Sequence, residues 1–273
     1  MQLRVAGRGV YAYTGTRRHD PALPLAVFVH GAANDHSVFA LQSRYFAWHG
    51  WNVLAIDLPG HGRSEGPALT DVPAIADWIA AVVTAAVAES RAGDAVLVGH
   101  SLGALAVLEC AARHPQSVAK VALLGPAVPM PVSDDLLAAA ARNDHVAYEL
   151  VNGWSYGPGS QLGGNRNPGV WMLGNAMRLM ERAGDGVLSA DLLACHRYAD
   201  GLAAAAALHC PALVVMGERD VMAPPRNAKA LIGALQDVRS LTLPGSGHAL
   251  TIEQPDAVLD ALRSFIGVAS TTV

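Results

Sequence analysis

The chain is poor in charge: Asp, Glu, Lys and Arg make up 15% of its 273 residues, against 52% that are hydrophobic. That balance excludes a disordered or tail-like protein, which cannot bury enough apolar surface to offset the entropy of ordering. No basic block occurs and the net charge is −4, so neither nucleic acid nor an anionic membrane has a counterpart here. No run of about 18 uninterrupted apolar residues, the length a bilayer crossing needs, is present. The opening MQLRVAGRGVYAYTG has no apolar core of a secretory leader, and the expected location is the cytoplasm. Cysteine is scarce and odd in number: Cys110, Cys195 and Cys210 lack metal-like spacing and are expected as free thiols. The glycine clusters lack both the Lys-Ser/Thr of a phosphate loop and the dinucleotide spacing, so no metal or other cofactor is expected. A small neutral or apolar molecule is the partner that fits, and nothing in the sequence indicates an oligomeric state.

What is present is a regular alternation around residues 96–114, VLVGHSLGALAVLECAARH. An apolar β-branched run ends at Val98, a tight turn Gly99-His100-Ser101-Leu102-Gly103 follows, and an alanine-rich helical pattern begins at once. Two glycines flank Ser101 at the spacing a strained strand-to-helix elbow requires, because strand and helix come too close there for a β-carbon. The helix aims its unpaired N–H groups at the same point, where an oxyanion would form.

Strand and helix signals alternate on both sides of this elbow. A hairpin is expected around Gly7-Arg8-Gly9, strands at Leu25 to Val29, Trp51 to Ile56, Ala95 to Val98 and Val118 to Leu124, and helices from near Ser37 and over Asp71 to Ser90. The order implies a mostly parallel α/β sheet with helices on both faces and ligands bound outside the carboxyl ends of the strands. At Gly125 to Pro131 the rhythm stops. Residues 132–208 are helical in pattern without a convincing strand, and their middle, 157–169, is a Gly- and Asn-rich loop expected to be mobile and to gate entry. Strand signals return at Ala212 to Met216 and Ser240 to Leu243, with helices over Pro225 to Leu235 and Glu253 to Ile266. Length and apolar content suit one core with an insertion: a core domain of residues 1–131 and 209–273, and a helical lid of residues 132–208.

Ser101, Asp220 and His248 stand at or just beyond the ends of three different strands, in the order nucleophile, acid, histidine. With His30-Gly31-Ala32, the Asp57 to Ser64 loop DLPGHGRS, GHSLG at the elbow, GERD before the acid and GSGH at the histidine, the chain resembles the lid-bearing branch of the α/β-hydrolase superfamily over nearly its whole length. The resemblance implies an oxyanion hole from the backbone N–H groups of Ala32 and Leu102. A serine at the elbow disfavours epoxide and halide chemistry, which needs a carboxylate nucleophile.

Ser101 needs a base to take its proton, His248 is the candidate, and Asp220 would orient that imidazole. His30, His61 and His100 are read as hydrogen-bonding backbone or filling space, Asp57, Asp134 and Asp135 as solvated loop carboxylates, and Glu253 and Asp256 as complementing the last helix's dipole. Trp154, Tyr156, Trp171 and Met172 are expected to line the substrate pocket, Trp171 foremost, with the lid's own core as the competing reading. The expected activity is hydrolysis of a carboxylic ester of a small, largely apolar molecule through an acyl-enzyme. Two alternatives stand beside it. One is a carbon–carbon bond hydrolase of a ring-cleavage product, whose acidic substrate would call on Arg142, Arg166, Arg178, Arg182 or Arg197. The other is a low-turnover binding protein on the same fold.

Overall fold

The computed structural model describes residues 1–87, 94–164 and 169–267. It opens with a hairpin, β1 (Gln2–Val5) and β2 (Arg8–Tyr13), turning through Ala6 and Gly7 at φ of 49° and 80°. The wholly buried β3 (Leu25–Val29) leads through a 3₁₀ turn, His36–Phe39, into α1 (Ala40–Ala47) and the equally buried β4 (Asn52–Ile56). Then follow α2 (Val72–Val87), β5 (Ala95–His100), α3 (Leu102–Arg113) and β6 (Val118–Leu124). The expected extension of α2 to Ser90 lies outside the described residues.

Among the described residues six helices separate β6 from the next strand: α4 (Asp134–Ala141), α5 (His145–Ser155), α6 (Pro158–Gln161), α7 (Met172–Met180), α8 (Val187–Arg197) and α9 (Gly201–Ala206). The sheet resumes with β7 (Ala212–Gly217), α10 (Lys229–Ala234) and β8 (Val238–Leu243), and the described chain closes with α11 (Leu250–Glu253) and α12 (Pro255–Ile266). One continuous helix was expected from Glu253. Pro255 breaks it: proline has no N–H to donate and disfavours helical geometry in the residue before it, so Gln254 sits at φ −132°, ψ 55°.

The eight strands pair in the order β1-β2-β4-β3-β5-β6-β7-β8, antiparallel at the first two junctions and parallel from β4 onward. β3 therefore lies between β4, which follows it in sequence, and β5, which the chain reaches by crossing back through α2. Connections leave the carboxyl ends of β3 and β5 toward opposite sides, and the crevice between them is the switch point where such sheets bind ligands. One sheet face packs on α2, α3 and the apolar sides of α9 and α10, the other on α1 and α12. Leu136, Ala139, Ala147, Val151, Met180, Leu188 and Leu192 of the insertion form a third cluster, and Ala33 of the loop after β3 packs into it. Among the described residues no helix is long and apolar enough to cross a membrane.

Candidate active site

β5 delivers Ser101 to the crevice in a conformation that non-glycine residues rarely take, φ 55° and ψ −118°. Such backbone costs about 1–3 kcal/mol and persists only where its surroundings impose it. Here Ser101 N donates to Leu124 O at 2.9 Å, and Ser101 O accepts from Ala104 N at 2.8 Å and Leu105 N at 3.2 Å. The flanking glycines are sterically required: a β-carbon on Gly99 would collide with Gly103 O, and one on Gly103 with Val29 O.

Asp220 and His248 meet beside it. Asp220, 3% exposed, follows β7 and accepts at Oδ1 from Met222 N at 2.9 Å and Ala223 N at 2.7 Å. Its Oδ2 accepts from His248 Nδ1 at 2.7 Å. A proton held on Nδ1 leaves the lone pair on Nε2, and that buried atom has no partner among the described residues. Burial pulls the His248 pKa down, but the charge of Asp220, its hydrogen bond and the charge of Glu253 together raise it above the usual histidine value. Burial likewise works to raise Asp220, and His248 with two backbone N–H groups outweighs it, so this carboxyl sits below its usual range. His100 Nε2 donates to His248 O at 2.8 Å and fixes the backbone that carries the imidazole. Burial and the charge of His248 push His100 down to about 3.

The loop after β3 supplies the other wall. His30 Nδ1 donates to Gly31 O at 2.8 Å and its Nε2 accepts from Leu58 N at 3.0 Å. A β-carbon on Gly31 would lie 3.1 Å from Ser101 Cβ, so the Gly31-Ala32 backbone passes directly against the elbow. Among the described residues no backbone hydrogen bond engages the N–H of Ala32 or Leu102.

Ser101, His248, Ala32 and Gly31 share one cavity of about 430 Å³, roofed by α5 and α7. Tyr156 and Met172, both buried, line it. Trp154 and Trp171 do not: Trp154 is 40% and Trp171 75% exposed. Met172, Asn175, Ala176 and Leu179 recur at helical spacing on the cavity face of α7. Trp171 is its N-cap, about a quarter-turn away, and its ring lies over Gly174, which has no side chain to displace it. On α5 the lining positions are Val151, Asn152 and Ser155, which turn Trp154 outward. Of the five arginines considered, Arg178 and Arg182 reach the cavity, Arg142 and Arg197 do not, and Arg166 lies outside the described residues.

Other expectations need correction. Glu253 ends α11 instead of opening the last helix, and its buried carboxylate accepts from Gly157 N, Ser160 Oγ and Gly247 N at 2.9, 2.8 and 2.8 Å. It ties the insertion to the loop bearing His248, and the first part of the loop expected to be mobile is thereby anchored and partly helical; residues 165–168 lie outside the described residues. Asp57 is buried as well, accepting from His36 N, His36 Nδ1 and Arg63 N at 2.8, 2.8 and 2.9 Å. Asp35, His36 and Asp57 form a compact group of potential metal ligands, but these bonds already engage the Asp57 carboxylate. Sequence reasoning also passed over Met222, Thr251 and Asn34 at the cavity; Met222, two residues beyond the acid, was the one with a positional signal.

An eight-stranded, mostly parallel sheet with a serine elbow at its switch point and a buried Asp–His pair beside it defines an α/β-hydrolase. Residues 21–255 match the family described as "Serine aminopeptidase, S33", and the chain belongs to that family. It is similar to the pimeloyl-[acyl-carrier protein] methyl ester esterases of Neisseria meningitidis serogroup B, at 29% identity over 92% of this chain and 97% of the relative. The esterase of the same description from Xanthomonas campestris is 30% identical over 91% of this chain and 96% of its own. Among solved structures, an enol-lactonase from Burkholderia xenovorans LB400 superposes with a TM-score of 0.84 at 23% identity, covering 97% and 99% of the two chains, a likeness of fold.

Proposed function

We propose that the protein is a serine esterase acting through an acyl-enzyme. Ser101 Oγ attacks the ester carbonyl while His248 Nε2 takes its proton; Asp220 holds the imidazole in the tautomer that leaves Nε2 free and stabilises the imidazolium that forms. The N–H groups of Ala32 and Leu102 stabilise the oxyanion, each contributing about 3 kcal/mol to the transition state. His248 then protonates the leaving alcohol, and a water activated by the same nitrogen releases the acid. The observation that carries the reading is the unpartnered Nε2 of a histidine whose Nδ1 is bound by a buried carboxylate, in the same cavity as a serine held at positive φ. In this reading residues 132–208 are the lid that covers the site, and the enzyme works in the cytoplasm, where its three cysteines remain free thiols.

The cavity has apolar side chains such as Val38, Val151, Met172 and Ile252 in its lining, together with Arg182 and with Arg178, which also pairs with Glu181 at 2.6 Å. That arrangement suits an apolar acyl chain with an anion beyond it, and the curated relatives are named for a methyl ester of a carrier-linked pimeloyl chain. Monomethyl esters of dicarboxylic acids are the first substrates to test. The same arginines favour, as second reading, the acid group of a dienoate cleaved at a carbon–carbon bond. Labelling by a fluorophosphonate, abolished in Ser101→Ala, tests the nucleophile; an unlabelled wild type identifies a binding protein. Turnover of methyl and p-nitrophenyl esters set against a dienoate separates the two enzymes.

A further inference from the structure

Buried side-chain polar atoms without a partner are few among the described residues, and two of them belong to residues that line the active-site cavity: Nε2 of His248 and Oδ1 of Asn152. The first has its use in the reaction above, and the second has none there. Asn152 is 5% exposed and stands inside α5. Packing alone would favour an apolar residue at such a position, since asparagine is a poor helix former and its amide must be stripped of water.

One end of the amide is engaged. Nδ2 donates to Leu173 O at 2.9 Å, reaching from α5 to the first turn of α7. The reverse orientation would set two carbonyl oxygens against each other, so the oxygen is the atom left over. It is closed to bulk water and meets no N–H or O–H among the described residues. Ser155 Oγ, on the same face of α5, already donates to Val151 O at 2.7 Å. An acceptor left in that state costs free energy, and a donor brought in by a ligand removes the cost. The helix that carries it is also fixed relative to the base: Ser155 O, one turn further along α5, accepts from Ala249 N at 2.8 Å, and Ala249 follows His248 directly. A molecule reacting at Ser101 therefore occupies a cavity in whose roof this acceptor is held in place.

We propose that Asn152 is a specificity-determining residue and that the substrate carries a neutral hydrogen-bond donor, a hydroxyl or a secondary amide N–H, which Oδ1 accepts. A carboxylate does not suit this point, because its oxygens only accept. The inference rests on the serine-esterase reading and narrows its substrates to hydroxy or amido esters. An asparagine that only fastened α5 to α7 would serve every ester alike.

The test measures kcat/KM for pairs of esters that differ in the donor. One series places it in the acyl part, with methyl ω-hydroxyalkanoates of six to ten carbons against their ω-methoxy counterparts. A second places it in the leaving alcohol, with butanoates of ω-hydroxyalkanols against their methyl ethers. The amide arm sets p-nitrophenyl N-acetylglycinate against p-nitrophenyl 4-oxopentanoate, in which a CH₂ replaces the N–H. Wild type is expected to prefer the donor by about tenfold or more at one position in at least one arm, because a site with a buried group to satisfy rejects the analogue that lacks its partner. In Asn152→Leu, which keeps the volume and loses the acceptor, that ratio is expected to fall about tenfold, whatever happens to the rate both esters share. Should Asn152→Leu not fold, Asn152→Ala is held to the same expectation. A wild type with no donor preference in any arm, or a preference that persists in the variant, overturns the inference. Labelling of that wild type at Ser101 by a fluorophosphonate leaves the esterase reading intact. An unlabelled wild type without ester turnover overturns both.

Discussion

Asp220→Asn is the substitution whose effect the structure specifies most closely. Asp220 Oδ1 accepts from two backbone N–H groups, at 2.9 and 2.7 Å. In the asparagine those donors require the amide oxygen at the same place, which turns the NH₂ toward His248 Nδ1, 2.7 Å from the present Oδ2. Two donors cannot face each other, so Nδ1 must give up its hydrogen and become the acceptor. The neutral ring then has its proton on Nε2, where it donates toward Ser101 instead of accepting. The fold is kept, since the replacement is isosteric and every backbone bond survives. kcat should fall by about four orders of magnitude, the cost of the wrong tautomer in a serine triad and equal to about 5 kcal/mol. The assay is p-nitrophenyl butyrate hydrolysis with thermal melts of both proteins alongside. A loss under tenfold, with the melting temperature unchanged, would refute the assignment of Asp220 as the orienting acid.

Four further outcomes are expected. Catalysis needs neutral His248, whose pKa is raised by Asp220 and Glu253 against the effect of burial; kcat/KM should therefore rise with pH through an apparent pKa above the ordinary value of about 6.5, and a flat profile from pH 5 to 8 would contradict it. His30 and His100 are lowered by burial first, and then by His61 and His248 respectively, to about 4 and about 3. The unfolded chain binds these two protons near pH 6.5 and the folded chain does not, so stability is lost as pH falls from there toward 4. The loss is about 3 kcal/mol for each histidine, and an unchanged urea midpoint between pH 7 and pH 4.5 would count against it. Met172→Ala should change the kcat/KM ratio between long-chain and acetyl esters about tenfold, because one buried lining contact contributes about 1–3 kcal/mol of discrimination. Trp171→Ala, at an exposed site, should leave that ratio unchanged in the same ester panel.

The elements were readable because their signals are local. Five buried apolar residues at Leu25–Val29, the glycines around Ser101 and the return of strand pattern at Ala212 each depend on neighbours within a few positions. The parallel direction of the sheet and the binding edge at its carboxyl ends follow from that alternation, whereas the strand order, with β3 between β4 and β5, came from the fold. The positions of Ser101, Asp220 and His248 were readable for the same reason, since each follows a strand, β5, β7 and β8, at the carboxyl edge of the sheet.

Contacts across the insertion were decided by tertiary structure alone. Asp191 meets Ala33 across 158 positions and His61 across 130, and Glu253 meets Gly157 across 96. Nothing near these carboxylates in sequence marks them as different from solvated ones, because what determines their role is which backbone N–H groups arrive to be satisfied when the insertion settles on the core. The choice between Trp171 and Met172 is of the same kind. Adjacent helical residues point about 100° apart, and composition gives no way to know which side of α7 the cavity takes. Sequence by itself determined the sheet, the elbow and the three residues at its edge; only the folded insertion decided which side chains form the pocket and which carboxylates hold the site together, since both depend on the seating of one unit against another.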